Sequence, residues 1–550
     1  MNRHKIIYTM LLMLTALLAQ AQTFADIDWA QFARDSVMPR YSCSVELGED
    51  YALYDYTASI EYPEFVPMSK EEIKRYRLDT LTDSLPSWPE ISTSVGISAK
   101  KGMLDVSFVP IVCIDGRYTR INSFKLAIDK RVNKSRLNSR MHAPATRSSE
   151  RYAQSSVLSE GRWVKIRVSE NGVHKITYSE LSKMGFKNPA KVRLFGYGGH
   201  ILPETNLSSL PDDLKEVPTH RTGNAMLFYA NGTVKWKYNA GTFTHEQNCY
   251  SNYGYYFLNE SNGVEPATIP VAEPKGTPRY TYTTYPDYAL YEKEEISLCT
   301  FGRTLLDGND FSSGRNKSYR FTLPGVTSAK ATIDVGFGSN APQESTLGVY
   351  VNNKNAGNLS IGKVGSVDKG VITSASYANT LLEQETTVTL KHNAPAFAVN
   401  GFLDYIRLSF TRELALRGSY TCFRGTTVSG VANFKITTSH PDTRVWRVTT
   451  PEEIEEYKGT YSDGIYTVVA PASYREELVA VDINGTFPSV EMAGEVPNQN
   501  LHSLGQTDMV IIVPSNGLFA AQAQRIADLH RELDSLTVAV VTAEQVYNEF

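Results

Sequence analysis

Between Asp508 and Phe550 the spacing of apolar residues changes twice. Met509-Val-Ile-Ile-Val513 is an unbroken, mostly β-branched run, the pattern of a strand covered on both faces. Pro514-Ser515-Asn516-Gly517 interrupts it. Phe519, Ala523, Ile526, Leu529 and Leu533 then recur at helical spacing, with Gln522, Arg525, Asp528 and Arg531 off that face. Thr537-Val-Ala-Val-Val541 reads as a second covered strand, and Ala543 onward begins another helix. A strand, a helix and a strand of these lengths predict a right-handed βαβ unit. Two parallel strands do not make a finished sheet, so this stretch reads as the start of an α/β domain.

Upstream the pattern is that of strands. Residues 22–129 predict an all-β domain, with strands at Tyr51–Ile60, Leu104–Val112 and Ile121–Ile128 and a turn at Asp115-Gly116. Residues 130–158 carry Lys130, Arg131, Lys134, Arg136, Arg140, Arg147 and Arg151 among Ser, Asn and Pro. They predict an exposed linker, open to processing or simply solvated. In residues 159–295, Gly161–Val168 alternates cleanly, and Asn171-Gly172 predicts a hairpin to Val173–Tyr178. Ser179 is the candidate cap of a short helix ended by Gly185. Strands follow at Val192–Phe195, Ala225–Ala230, Val234–Tyr238 and Tyr253–Leu258. Residues 296–414 predict a β-sandwich of jelly-roll type, built from runs such as Leu347–Val351 and Phe402–Phe410. Residues 415–505 predict a further β segment with strands near Asn433–Thr437, Val445–Val448, Tyr466–Ala470 and Glu477–Val481. The expected fold class is therefore mainly β and multidomain, of sandwich or jelly-roll-like modules, ending in the first βαβ unit of an incomplete α/β domain at 506–550.

The N-terminus changes the picture of where this chain works. Arg3, His4 and Lys5 precede an apolar run from Ile6 to Leu18, and Ala19-Gln20-Ala21 follows. That is the pattern of a secretory signal peptide over residues 1–21. The run is too short to span a bilayer comfortably. Net charge is only −4 over 550 residues, which gives no reason to expect a nucleic-acid partner. Cys43, Cys113, Cys249, Cys299 and Cys422 are scattered without metal-ligand spacing. They predict covered or half-covered thiols with at most one or two disulfides.

Candidate chemistry is sparse. Tyr280, Tyr282, Tyr285, Tyr288 and Tyr291 suit either sugar stacking or packing at an interface, and packing is the commoner use. Asp307-Gly308-Asn309-Asp310 suits either calcium or plain turn chemistry. Gly196-Tyr197-Gly198-Gly199 has no helix after it, so it reads as a close approach of backbones rather than a nucleotide loop. Ser515 stands at a strand end with no His or carboxylate to place beside it. His502 reads as a polar structural group and His530 as a surface residue of a helix.

Several ordered segments resemble one family. Trp163–Val168 with Gly172, Gly196–Gly199, Asn248–Leu258, Phe402–Phe410 and Val445–Thr449 resemble the forepart of the type IX secretion sortases, a branch of the gingipain family of cysteine peptidases. Val496-Pro-Asn-Gln-Asn-Leu-His502, the strand at Met509 and Thr542–Tyr547 resemble the start of the gingipain catalytic domain. The resemblance implies an exported, outer-membrane peptidase at the cell surface. Such an enzyme removes C-terminal sorting domains from secreted proteins, joins those proteins to an anionic lipopolysaccharide and works with an outer-membrane barrel of the secretion machinery. It implies a Cys thiolate and a His acting on a peptide carbonyl, both beyond Phe550. No catalytic, cofactor-binding or metal-binding residue is therefore assigned within this chain, no cofactor is expected, and the chain alone is expected to be inactive. Two other readings stay open: a non-enzymatic surface protein of β modules that binds glycan or a secretion partner, and a gingipain relative of different specificity.

Overall fold

The computed structural model describes residues 24–32, 38–48, 51–81, 85–98, 101–133, 152–204, 211–239, 241–260, 263–299, 302–311, 316–327, 330–365, 368–394 and 400–550. The expected signal peptide and most of the basic stretch fall outside these residues. The chain divides into two units. One takes residues 1–150 and 505–544, the other 151–504 and 545–550. No helix among the described residues is long and apolar enough to cross a membrane.

In the first unit, strands Phe24–Asp26, Tyr54–Pro67, Ile111–Ile114 and Arg117–Val132 form one antiparallel sheet. Tyr41–Glu46, Ser92–Ser98 and Lys101–Phe108 form another. Alternation along Lys101–Phe108 buries Leu104, Val106 and Phe108, and Phe108 meets Ile27, Ile60, Ile121 and Phe124 in the core. Asp115 (φ 48°) and Gly116 (φ 74°) make the expected two-residue turn, with both φ values positive as the strand twist requires. The expected strand at Tyr51 begins only at Tyr54, because Tyr51–Leu53 is a 3₁₀ turn that lays the Tyr51 ring over Gly102.

The same unit holds the parallel strands Met509–Val513 and Val538–Thr542, paired Met509 to Val538 through Val513 to Thr542, with helix Ala520–Leu533 between them. Two details differ from expectation. Phe519 is not on the helix's apolar face; it precedes the helix at φ 66° and is exposed. The helix buries the small residues Ala523 and Ala527, whereas Ile526, Leu529 and Leu533 stand exposed, as do Val510 and Ile512 on the first strand. Apolar period identified the elements correctly, but two strands and one helix cover only part of their apolar surface.

The second unit is built from interleaved segments. Trp163–Val168 lies between Gly254–Glu260 and Glu491–Val496, and Gly254–Glu260 pairs in turn with Val192–Gly198. Gly172–Thr177 pairs instead with Ala225–Ala230. The expected Asn171-Gly172 hairpin is therefore a corner between two sheets. Asn171 explains why: its Nδ2 donates to Val234 O (2.8 Å) and its Oδ1 accepts from Gly232 N (2.6 Å), so it ties the corner to a different strand pair. Helix Tyr178–Lys183 is capped by Thr177, not Ser179, through a reciprocal bond pair with Glu180. The Gly cluster is a close approach as expected: a Cβ on Gly199 would stand 2.6 Å from Gly254 Cα.

Two four-stranded antiparallel sheets form the sandwich. One is Thr284–Glu292, Gly401–Glu413, Ala331–Ser339 and Val371–Thr380; the other is Asn316–Thr322, Glu385–Asn393, Ser345–Val351 and Lys354–Ile361. Ile333, Val335, Phe337, Val349, Leu390 and Leu408 fill the space between them. The sandwich thus takes in Tyr285, Tyr288 and Tyr291 of the tyrosine-rich stretch on one strand, whereas Tyr282 lies on a short strand of another sheet. Residues 415–505 do not stand apart either. Trp446, Val479 and Val481 share one core with Val164, Ile166, Val173, Phe228 and Tyr256.

Candidate functional site

In a parallel α/β sheet the reacting groups gather beyond the carboxyl ends of the strands. Here the first strand ends at Val513 and runs into a turn closed by Gly517 N donating to Pro514 O (3.1 Å). Ser515 is exposed in that turn, and no histidine or carboxylate is hydrogen-bonded to it among the described residues. His530 sits in the last turn of helix Ala520–Leu533 with Nδ1 2.7 Å from Asp534 Oδ2, a pairing within one turn of the helix surface. None of the five cysteines forms a disulfide. Cys422 is in a strand beside Val479, and burial pushes its thiol well above the ordinary range, with Glu477 adding to the rise. It is a poor thiolate at neutral pH.

The segment Val496–His502 is fixed residue by residue. Asn498 Nδ2 donates to Leu158 O (3.1 Å) and Gly161 O (2.9 Å). Gln499 Nε2 donates to Gln545 O (2.7 Å) and Glu549 Oε2 (2.9 Å). Asn500 Oδ1 accepts from Ser156 N (2.9 Å). His502 is the centre of the arrangement. Its Nδ1 lies 2.6 Å from Glu549 Oε1, its Nε2 lies 3.0 Å from Asp212 O and 3.2 Å from Asp212 Oδ2, and its ring stacks on Phe550 at 4.5 Å. Both ring nitrogens face acceptors only, which is the environment of an imidazolium. Burial pulls the His502 pKa down, but the Glu549 hydrogen bond and the Asp212 and Asp213 contacts outweigh it, so it is raised above 6.5. Burial pushes Glu549 up, and its bonds from the Leu501 and His502 backbone and from Gln499 and His502 side chains hold it below 4.5. The side chain of Glu549 is fully buried and that of His502 is 3% exposed. His502 has both ring nitrogens engaged. It is a structural ion pair, as its sequence position suggested; Glu549, its counter-ion, carried no signal of its own in the helical pattern.

The remaining candidates resolve to packing. Asp307 is buried, with Oδ2 accepting from Tyr291 Oη (2.8 Å) and Oδ1 from Asn309 N (2.9 Å), which is turn chemistry. Tyr285 is buried and Tyr288 stacks on Trp236 at 3.6 Å. Tyr282 stacks on Phe434 at 5.2 Å, leaving Tyr280 as the exposed ring of the group.

Comparison with known proteins gives two findings that bear on this arrangement. The Peptidase family C25 profile matches residues 502–550. The structure is similar to that of dimeric latent PorU from Porphyromonas gingivalis, with 28% sequence identity and a TM-score of 0.64 over 73% of this chain. The chain spans 39% of that protein's length. A CBM36-1 domain of a multidomain xylanase from the hindgut metagenome of Trinervitermes trinervoides also matches, at 11% identity and a TM-score of 0.16, over 22% of this chain and 96% of that domain; so low a score carries no argument. No curated protein matches in sequence. A PorU-like structure that runs into a C25 match at its end bears out the resemblance read from the sequence.

Proposed function

We propose that this chain is the N-terminal portion of a type IX secretion sortase. The whole protein would be a gingipain-like cysteine endopeptidase at the outer membrane that removes C-terminal sorting domains from secreted proteins and attaches those proteins to the cell surface. The observation that carries the reading is one of order: a PorU-like succession of β modules leads directly into a βαβ unit that the C25 family matches. In this reading the Cys nucleophile and its His follow Phe550, on later strands of the sheet that Met509–Val513 and Val538–Thr542 begin. A Cys thiolate there attacks the peptide carbonyl, the His moves the proton to the leaving amine, and backbone amides hold the oxyanion. The residues of this chain contribute no reacting atom. Asn498, Gln499, Asn500 and His502 fix the segment that leads into the peptidase.

The test is genetic and biochemical. Disrupting the gene should leave secreted proteins with their sorting domains attached, read by mass spectrometry of the culture medium. The full reading frame should restore cleavage, and residues 1–550 alone should not. Continued removal of sorting domains in the disrupted strain would sink the sortase reading. Restoration by residues 1–550 would put the nucleophile inside this chain.

A further inference from the structure

One end of the sandwich carries a polar hollow that nothing described above uses. Alternation sets the outer face of the sheet Asn316–Thr322, Glu385–Asn393, Ser345–Val351 and Lys354–Ile361. Leu347, Val349 and Leu390 point into the core, so Thr346, Lys391 and Asn393 point out. Register then puts Ser360, Thr346 and Asn393 side by side, because Thr346 is opposite Ser360 on one neighbouring strand and Asn393 on the other. Strands lie about 4.8 Å apart, so two hydroxyls and an amide form a row about 10 Å long across three strands. The row lies in a hollow of about 690 Å³, which Glu344 and the apolar Ile361 and Ala394 also line.

Elsewhere on the same face the polar side chains satisfy one another. Ser318 Oγ and Thr389 Oγ1 are 2.8 Å apart, Thr322 Oγ1 donates to Glu385 Oε2 (3.1 Å), and the Lys391 ammonium stands 4.2 Å from the centre of the Tyr350 ring. In the hollow that pairing stops. Among the described residues, the side chains of Glu344, Thr346, Ser360 and Asn393 have no hydrogen-bond or ion-pair partner, and all four residues are exposed. The row is nevertheless held in place. Thr346 is paired on both sides, and the adjacent Ser345 is buried with its Oγ 3.3 Å from Nε2 of the buried His392 on the neighbouring strand. The donors and acceptors of the row are therefore in position before a ligand arrives.

We propose that this hollow binds one unit of a neutral oligosaccharide. Hydroxyl and amide groups both donate and accept, and a carboxylate accepts at two oxygens, which suits the hydroxyls of a sugar ring. Ile361 and Ala394 offer the apolar surface that the ring's C–H face covers. No lysine or arginine lines the hollow and Glu344 does, so a phosphate, sulfate or uronate is repelled there. The hollow belongs to the sandwich alone, so its ligand does not depend on the peptidase reading.

The purified chain is mixed in turn with maltotriose, cellotriose, xylotriose and triacetylchitotriose, and binding is read by saturation-transfer NMR and calorimetry. A few hydrogen bonds of ordinary net strength give a dissociation constant on the order of 1 mM for at least one of these sugars. Thr346→Val and Asn393→Ala should each weaken that binding about fivefold or more. The double variant should abolish it at an unchanged melting temperature, because neither side chain has a protein partner to lose. Thr387→Val, further along the same face, should leave binding as it is. Failure of every one of these sugars to bind the wild-type chain overturns the proposal. So does undiminished binding in the double variant, or tighter binding of trigalacturonic acid than of any neutral sugar. Should the double variant fail to fold, Ser360→Ala decides by the same readout: weaker binding supports the site, and unchanged binding overturns it.

Discussion

The ion pair of His502 and Glu549 shows what the histidine ahead of the first parallel strand does. In sequence it reads as a polar structural group. Its surroundings supply two acceptors and a stacked ring, which hold a charge in place. Removing one member strands the other in a buried position, a loss of about 3–5 kcal/mol in comparable pairs. Glu549→Gln should therefore speed hydrogen exchange in residues 498–503 and 545–550 before the sandwich is affected. The pH dependence follows from the two shifts. The raised pKa of His502 gives stability that is complete below 6.5 and is lost as pH rises through the folded value. The lowered pKa of Glu549 gives stability present above 4.5 and lost as pH falls through the folded value. The stability difference between wild type and His502→Gln should be largest between those limits and shrink on both sides. A difference that stays flat across the whole range would rule out the charged pair.

At the scale of elements, the second unit depends on packing between distant segments. Trp446 is fully buried among Val479, Val481 and the strands around Ile166 and Phe228. Trp446→Ala should cost about 3–5 kcal/mol, read as a lower urea midpoint for a transition that includes Trp163–Val168. Gly254 belongs to the same assembly by backbone contact: a Cβ there would stand 2.3 Å from Asn231 O. Carbonyl oxygens of a sheet corner cannot swing aside as a side chain does. Gly254→Ala should therefore destabilise by about 1–3 kcal/mol, and restoring space elsewhere by shortening a side chain should not rescue it. The helix Ala520–Leu533 makes the opposite prediction. Leu529 and Ile512 are exposed, so Leu529→Lys and Ile512→Lys should change stability by less than about 0.5 kcal/mol while lowering the binding of a hydrophobic dye such as ANS.

For the whole molecule, the interleaving matters more than any one module. Strand Glu491–Val496 returns to the sheet of Trp163–Val168, more than 300 residues earlier in the chain. Val496 then opens the segment fixed by Asn498, Gln499, Asn500 and His502. A product cut between residues 414 and 415 should lose the core that Trp446 shares with Ile166, so its N-terminal piece should be poorly folded by near-ultraviolet circular dichroism. A product cut after Phe550 should fold and show no peptide hydrolysis. A thiol-sensitive peptidase activity in that product would contradict the proposed placement of the nucleophile beyond this chain.

Most strands and both longer helical runs were legible along the chain, because period 2 and period 3.6 are local properties of side-chain direction. So were the Asp115-Gly116 turn and the close approach at Gly199, where backbone sterics act within a few residues or leave glycine as the sole solution. Pairing was not legible. Asn171-Gly172 has hairpin chemistry, yet the strands on either side of it find partners in different sheets, a choice made by burial across long separations. The same holds for His502 and Glu549, 47 residues apart in the chain, which only folding brings to 2.6 Å. Local chemistry wrote the elements; long-range packing chose their neighbours and brought the charged groups together.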